Sequence, residues 1–429
     1  MQHLATLALA SLMLLLAACS NDQALLDSIS GGETATLAGE NSGQAVMPPE
    51  TGILQREPAT EAEQVTRHPG RVALFGDLHV HTENSFDAYT FASLAKPADA
   101  YRYARGEAIP HPAGFDIQLH RPLDFYAVTD HAMLLGVARA AADTTTDISL
   151  LPVSEPMHDF NRPGNRGLLS LLDRGAAFGR FVPEMVGLIR SGEVDPELVL
   201  DITRSTWAAN VEVTDAAYVP GEFTTFAAYE YTTSTDQRGN LHRNVVFRDT
   251  DRLPAVPWSR LHSQNPEGLW AWMDQLREQG IESMAIPHNS NGSNGEMFKQ
   301  VDWSGQAMDE TYAQTRMRNE PLVEITQIKG TSETHPLLST TDEWAGFELM
   351  EYRVGSALAS KAQGSYVREA LLAGLEMETR GAGNPYRFGF IGSTDTHVGG
   401  GALREDKFFS KAGVLDGLPY RRGSVPLNW

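Results

Sequence analysis

The stretch Val72-Ala73-Leu74-Phe75-Gly76-Asp77-Leu78-His79-Val80-His81-Thr82 decides how this chain is read. Its apolar run has the look of a buried strand, and it breaks off into two histidines separated by one residue. Alternate side chains of a strand share a face, so His79 and His81 are expected to point the same way. Near the other end, Phe388-Gly389-Phe390-Ile391-Gly392-Ser393-Thr394-Asp395-Thr396-His397 repeats the pattern and puts Asp395 beside His397. Paired imidazoles, and a carboxylate beside an imidazole, suit a metal ion far better than a hydrophobic core.

Between these two stretches the same pattern recurs. Apolar runs that precede a histidine or carboxylate lie at 72–75, 125–128, 223–229, 244–247, 284–286, 322–325 and 388–392. Helix signals fall between them. Asn265-Pro266 supplies a cap and a first-turn proline before Leu269, Trp270, Trp272, Met273 and Leu276, and Gly280 ends the segment. Asp195-Pro196 opens a stretch through Leu198, Leu200, Ile202 and Trp207, and Ser365 begins another with Val367, Leu371, Leu372 and Leu375. Strands alternating with helices predict an α/β protein with a parallel sheet or barrel. Active sites of barrels lie at the C-terminal strand ends, where these candidates sit. Residues 140–215 read as a mainly helical insertion, and the chain has no internal repeat.

The remaining candidate ligands follow the same logic. Thr129-Asp130-His131 ends the run Phe125-Tyr126-Ala127-Val128, and Glu230 closes Phe226-Ala227-Ala228-Tyr229. A carboxylate after such a run needs a cation or a charged partner. His242 precedes the strand from Asn244 to Phe247, and Ala285-Ile286-Pro287-His288-Asn289 repeats the strand-end histidine. Any one of these is more often a satisfied structural residue. Together, at successive strand ends, they point to one site.

In this order, His-x-His, Asp-His, Glu, His and Asp-x-His resemble the PHP (polymerase and histidinol phosphatase) superfamily. The segment Gly76 to Ala88, with Thr326-Gln327-Ile328-Lys329-Gly330 and Ser393-Thr394-Asp395-Thr396-His397, resembles its branch called domain of unknown function 3604 (DUF3604) over about residues 70 to 415. The resemblance implies a distorted (β/α)7 TIM-like barrel of PHP type holding two or three divalent metal ions. It would give His79, His81, Glu230 and Asp395 to a first metal, and Asp87, His131 and a bridging Glu230 to a second. His242, His288 and His397 would hold a third. Asp87 stands where many PHP enzymes carry histidine, which makes the site harder and favours Mn²⁺ or Fe²⁺ over Zn²⁺. Asp130 is expected to orient a ligand from behind.

Metals about 3.5–4 Å apart can share a hydroxide and clamp both oxygens of a displacement at a tetrahedral ester. The expected reaction is hydrolysis of a small-molecule phosphate ester, or a sulfate ester, with the metal-bridging hydroxide as nucleophile. Asp395, Glu230 and Lys329 are the expected catalytic residues, Lys329 neutralising an equatorial oxygen. Asn289 and Asn291 are candidates for substrate contact, and Arg353, Glu333 and His335 for shaping the pocket or, more simply, for structure. Two rivals remain open: an amidohydrolase-like hydrolase, which commonly bridges two metals with a mid-chain lysine, and a surface lipoprotein that binds metal without catalysis.

The N-terminus speaks for export. Leu4 to Leu16 is mostly apolar but too short to span a bilayer as a helix. It ends in Leu16-Ala17-Ala18-Cys19, which resembles a bacterial lipobox. Residues 1–18 are then a signal peptide, and Cys19 becomes a lipid-anchored N-terminus. Ser20 favours the outer membrane, facing the periplasm; the alternative is an ordinary secretory signal with a chance cysteine, giving a secreted or periplasmic protein. Cys19 is the only cysteine, which excludes disulfides and thiolate metal sites. Residues 19–67 read as a flexible tether and 68–429 as the hydrolase domain, short at its C-terminal end for the family it resembles. A net charge of −21 argues against a nucleic-acid groove or an anionic-lipid surface.

Overall fold

The computed structural model describes residues 45–56, 72–166, 170–353, 356, 358–402, 404, 408–409 and 411–417. The signal peptide, Cys19 and the first part of the tether lie outside these residues. Among the described residues no helix is long and apolar enough to cross a membrane.

The architecture is mixed α/β, with small sheets and helices packed outside them. Strands β1 (Gly76–Asp77), β2 (Phe125–Tyr126) and β3 (Thr224–Thr225) form a parallel sheet. Strands β4 (Ala228–Tyr231), β5 (Arg243–Phe247) and β6 (Ser283–Pro287) form an antiparallel one. Strand β7 (Leu322–Gln327) pairs in parallel with β8 (Gly389–Gly392), and the two-residue strand Gly330–Thr331 folds back on the end of β7. Single bridges tie the sheets together, His131 to Glu230 and Val80 to Thr396. Among the described residues no sheet closes into a barrel.

Three sequence expectations change here. The run 223–229 splits into two short strands, and β5 runs antiparallel to β4. The connection 232–242 is too short for a crossover helix, so only an antiparallel return is open to the chain. His242 therefore sits at the N-terminal end of its strand, on the edge where β4 and β6 end. Secondly, Val72, Leu74 and Phe75 are exposed, and only Gly76-Asp77 pairs. A side chain at Gly76 would meet the Phe125 ring at 2.2 Å, so the close approach of β1 to β2 needs glycine. Thirdly, part of the expected tether belongs to the domain. Met47 is buried, Val46 and Met47 both donate to the Leu261 carbonyl, and Ile53–Gln55 pairs antiparallel with Arg252–Pro254.

The helices follow their sequence signals more closely. Helix Pro266–Glu278 starts where Asn265 accepts from the Glu267 amide at 2.8 Å, and Gly280 ends it in the left-handed region at φ 81°. Full burial of Leu269 and Met273 contributes about 1.5–3 kcal/mol each. In the insertion, Ser170–Ser191 and Pro196–Ala217 are the long helices, the second capped by Asp195. Their buried Phe181, Met185, Ile189 and Leu200 share a core cluster with Phe86 and Tyr89. Those two residues belong to helix Phe86–Thr90, which carries Asp87. Buried Arg174 locks the two parts together by donating to the carbonyls of Thr90, Phe160 and Asn165 and to the Asn161 side chain.

Candidate metal centre

The bridge between His131 and Glu230 and the bridge between Val80 and Thr396 bring the ends of β1, β2, β4 and β8 together. All nine expected ligands meet there. His79 and His81 do share a face. Nε2 of His79 lies 3.4 Å from both Glu230 Oε2 and Asp395 Oδ1. Nε2 of His81 lies 3.2 and 3.4 Å from the same two oxygens. A tetrahedral cation with bonds of about 2.1 Å holds its ligands roughly 3.4 Å apart, so these spacings fit one ion. His81 Nε2 and Asp395 Oδ1 are buried without a hydrogen-bond partner, a costly state unless something else binds there.

Glu230 divides its two oxygens between the two sides of the cluster. While Oε2 faces His79 and His81, Oε1 lies 3.3 Å from His131 Nδ1, 2.7 Å from His242 Nδ1 and 3.6 Å from His288 Nε2. Asp87 Oδ2 lies 3.1 Å from His131 Nε2 and 2.8 Å from His397 Nε2. The three groups whose ligand atoms could share an ion are His79 with His81 and Asp395, His79 with Glu230 and His288, and His81 with His131 and His397. This differs from the expected division, since His397 joins Asp87 and His131 instead of His242 and His288. Asp395 adopts φ 52°, so the extended alternation stops there and His397 turns toward Asp87.

Four of the imidazoles are held with Nε2 facing the cluster. His79 Nδ1 is 3.0 Å from Glu324 Oε2. His81 Nδ1–H donates to Ser85 Oγ at 3.0 Å, and Ser85 in turn donates to Asp130. His131 Nδ1–H donates to Thr232 Oγ1, which donates to Glu230. His397 Nδ1–H donates to the Asp395 carbonyl. Fixing Nδ1–H this way leaves the Nε2 lone pair for a metal, which is the usual support for a metal-binding histidine.

The electrostatics fit the same picture. Burial opposes a charge on His79, but Glu324, Asp395 and Glu230 outweigh it and push its pKa up to about 10. His131 is likewise pushed up to about 10, against burial, by Asp87 and Glu230. Burial would raise Asp87, Glu230 and Asp395, yet the surrounding cations hold all three well below the usual carboxylate range. Burial pushes His397 down to about 3 and lowers His242 and His288. A buried set of carboxylates that gathers protons onto imidazoles is one that cations can occupy in their place.

The other expected residues divide clearly. Lys329 contacts Asp395 Oδ2, and Asp130 stands behind Ser85 and His81. Asn289 accepts from Gln327 at 3.0 Å, whereas Asn291 holds the Lys329 and Met350 carbonyls. Glu333 pairs with Arg368, His335 with Glu351, and Arg353 donates to the Gln237 and Ala359 carbonyls. Those three brace loops. Sequence reasoning missed Glu324, Gln327 and Lys411. Gln327 Nε2 and Lys411 Nζ reach Asp395 Oδ2 at 2.7 and 2.6 Å. Glu324 had one available signal, a carboxylate inside an apolar strand run.

The family model described as protein of unknown function, DUF3604, matches residues 68–426, and the chain belongs to this family. No curated protein and no solved structure matches the chain.

Proposed function

We propose that the chain is an exported hydrolase of phosphate esters, with sulfate esters as the second choice, working through two or three divalent cations. On this reading it is a PHP-type enzyme whose strands are the arc of a distorted (β/α)7 barrel. The bridges from His131 to Glu230 and from Val80 to Thr396, which continue the strand order past the sheet ends, support that finer fold. The observation that carries the function is the convergence of Nε2 of His79 and His81 on Glu230 Oε2 and Asp395 Oδ1 at 3.2–3.4 Å.

Bound there, the cations would supply a nucleophilic hydroxide at neutral pH and charge stabilisation for the ester. His79, His81, Glu230 and Asp395 would hold one, Asp87, His131 and His397 another, and His242 and His288 would complete the set at Glu230 Oε1. Glu230 spans the cluster and fixes the spacing of the two sides. Asp395 is aimed by Gln327 and the lysines, so its free oxygen stays turned to the centre. Lys329 stands at the rim, 23 % exposed, where it can stabilise charge on an equatorial oxygen. An anchor at Cys19 would hold the enzyme at the outer membrane, and the −21 charge favours small substrates over nucleic acid.

The test is hydrolysis of aryl phosphate monoester, phosphodiester and sulfate substrates after reloading with Mn²⁺, Fe²⁺ or Zn²⁺, beside Asp395→Ala. Metal-dependent turnover abolished in the variant supports the reading. Folded, metal-loaded protein inert toward every substrate refutes it and favours a metal-binding lipoprotein.

A further inference from the structure

Asp395 Oδ2 is crowded. Gln327 Nε2 lies 2.7 Å away, Lys411 Nζ 2.6 Å away, and Lys329 Nζ is in contact as well. Gln327 makes a hydrogen bond to this oxygen, whereas Lys411 Nζ, despite its short contact, is buried without a hydrogen-bond partner, and two neighbouring ammonium groups repel. Asp395 Oδ1 meanwhile faces His79 and His81. Lys329 approaches from the rim, its side chain 23 % exposed, while the Lys411 side chain is 10 % exposed and its Nζ is buried.

The backbone around Lys411 is built to put it there. The His397 amide donates to the Lys411 carbonyl at 2.7 Å. Asp416 accepts from the amides of Lys411 and Ala412 and closes the turn. The Val414 amide donates to the Phe91 carbonyl at 2.9 Å, docking the segment on the helix that carries Asp87. Gly413 has φ 61°, and a Cβ there would stand 2.0 Å from the Phe91 oxygen. Only glycine allows this approach.

We propose that Lys329 and Lys411 form a paired clamp for the terminal oxygens of a dianionic tetrahedral group, making phosphate monoesters the substrate class. The inference rests on the hydrolase reading above. A phosphate monoester has three terminal oxygens sharing two negative charges. Each lysine can take one of these oxygens while another faces the cations, and Gln327 keeps Asp395 Oδ2 satisfied. A diester offers two terminal oxygens and one charge. A sulfate ester offers three oxygens but again one charge, so either leaves the ammonium pair less compensated in a largely buried place. An ammonium, a compact point charge with three donors, can swing between Asp395 and the ligand.

The experiment is calorimetric titration, into Mn²⁺-reloaded protein at pH 8, of inorganic phosphate, a dianion there, and of methanesulfonate, a monoanion with three terminal oxygens like a sulfate ester. Wild type, Lys411→Met, Lys411→Arg and Lys329→Met are compared, with metal content measured on the same samples. The clamp predicts phosphate bound about tenfold or more tighter than methanesulfonate, and about a tenfold loss in either Met variant with metal retained. Lys411→Arg should recover most of the affinity. Unchanged phosphate binding in Lys411→Met, or equal affinity for the two anions, overturns the clamp and leaves the hydrolase reading standing. Loss of metal from Lys411→Met also overturns it, because Lys411 would then only be holding Asp395. Metal-loaded wild type that binds neither anion overturns both.

Discussion

Loading the centre with cations should expel protons, and the number can be worked out from the site. In the metal-free protein His79 and His131, each with a pKa pushed up to about 10, carry protons at neutral pH. The carboxylates of Asp87, Glu230 and Asp395 are already ionised, and His397, His242 and His288 are already neutral. Coordination through Nε2 of His79 and His131 therefore displaces about two protons. Each displaced proton steepens the pH dependence by a factor of ten, so Mn²⁺ affinity should rise about a hundredfold from pH 7 to pH 8. The same shifts fix the sign for stability without metal. These pKa values are raised from 6.5 to about 10 on folding, so their contribution is complete below the lower value and lost as pH climbs through the higher one. Metal-free protein should thus weaken toward alkaline pH. Calorimetric Mn²⁺ titration in two buffers of different ionisation heat counts the protons directly. Release of none, with flat affinity between pH 7 and 8, would refute the argument.

Other outcomes follow from particular contacts. Glu324→Gln keeps a partner for His79 Nδ1 but removes its charge, and Mn²⁺ affinity should fall about tenfold in a competition with a chelator. Gly413→Ala should undock the Lys411 segment, so its phosphate affinity should match Lys411→Met while the circular-dichroism spectrum is unchanged. Arg174→Met removes the donor to the Thr90 and Asn165 carbonyls and to Asn161 Oδ1, while the Phe160 carbonyl keeps the Asn165 side chain, and the urea midpoint should report a loss of about 3 kcal/mol or more. Leu372→Glu, at a position 66 % exposed, should change stability by less than about 0.5 kcal/mol.

The last of these marks a limit of sequence reading. Leu372 and Leu375 look like core positions of helix Val367–Thr379, but the buried face is made of Val367, Ala370, Gly374 and Met377. Gly374 is there because a Cβ would stand 2.1 Å from Asn384 Oδ1. Close packing chose the small side, and hydrophobicity alone pointed to the other. The clustered histidines and carboxylates were legible because, though each alone could be structural, they recur together at the ends of apolar runs. Their division was not, because it depends on the turn at Asp395 that sends His397 to Asp87. Glu324 was concealed inside a strand run, and Lys411 lies in a loop that no periodicity marks. The antiparallel return of β5 was implied by the short connection before it, and reading 223–229 as one strand obscured it.

The most direct test is the metal content of the folded chain by elemental analysis after reloading, wild type beside Glu230→Ala. Glu230 puts one carboxylate oxygen on each side of the cluster. The account predicts two or three ions per chain, falling to one or none in the variant. A wild type that binds no ion, or a Glu230→Ala protein that keeps its full complement, would contradict it.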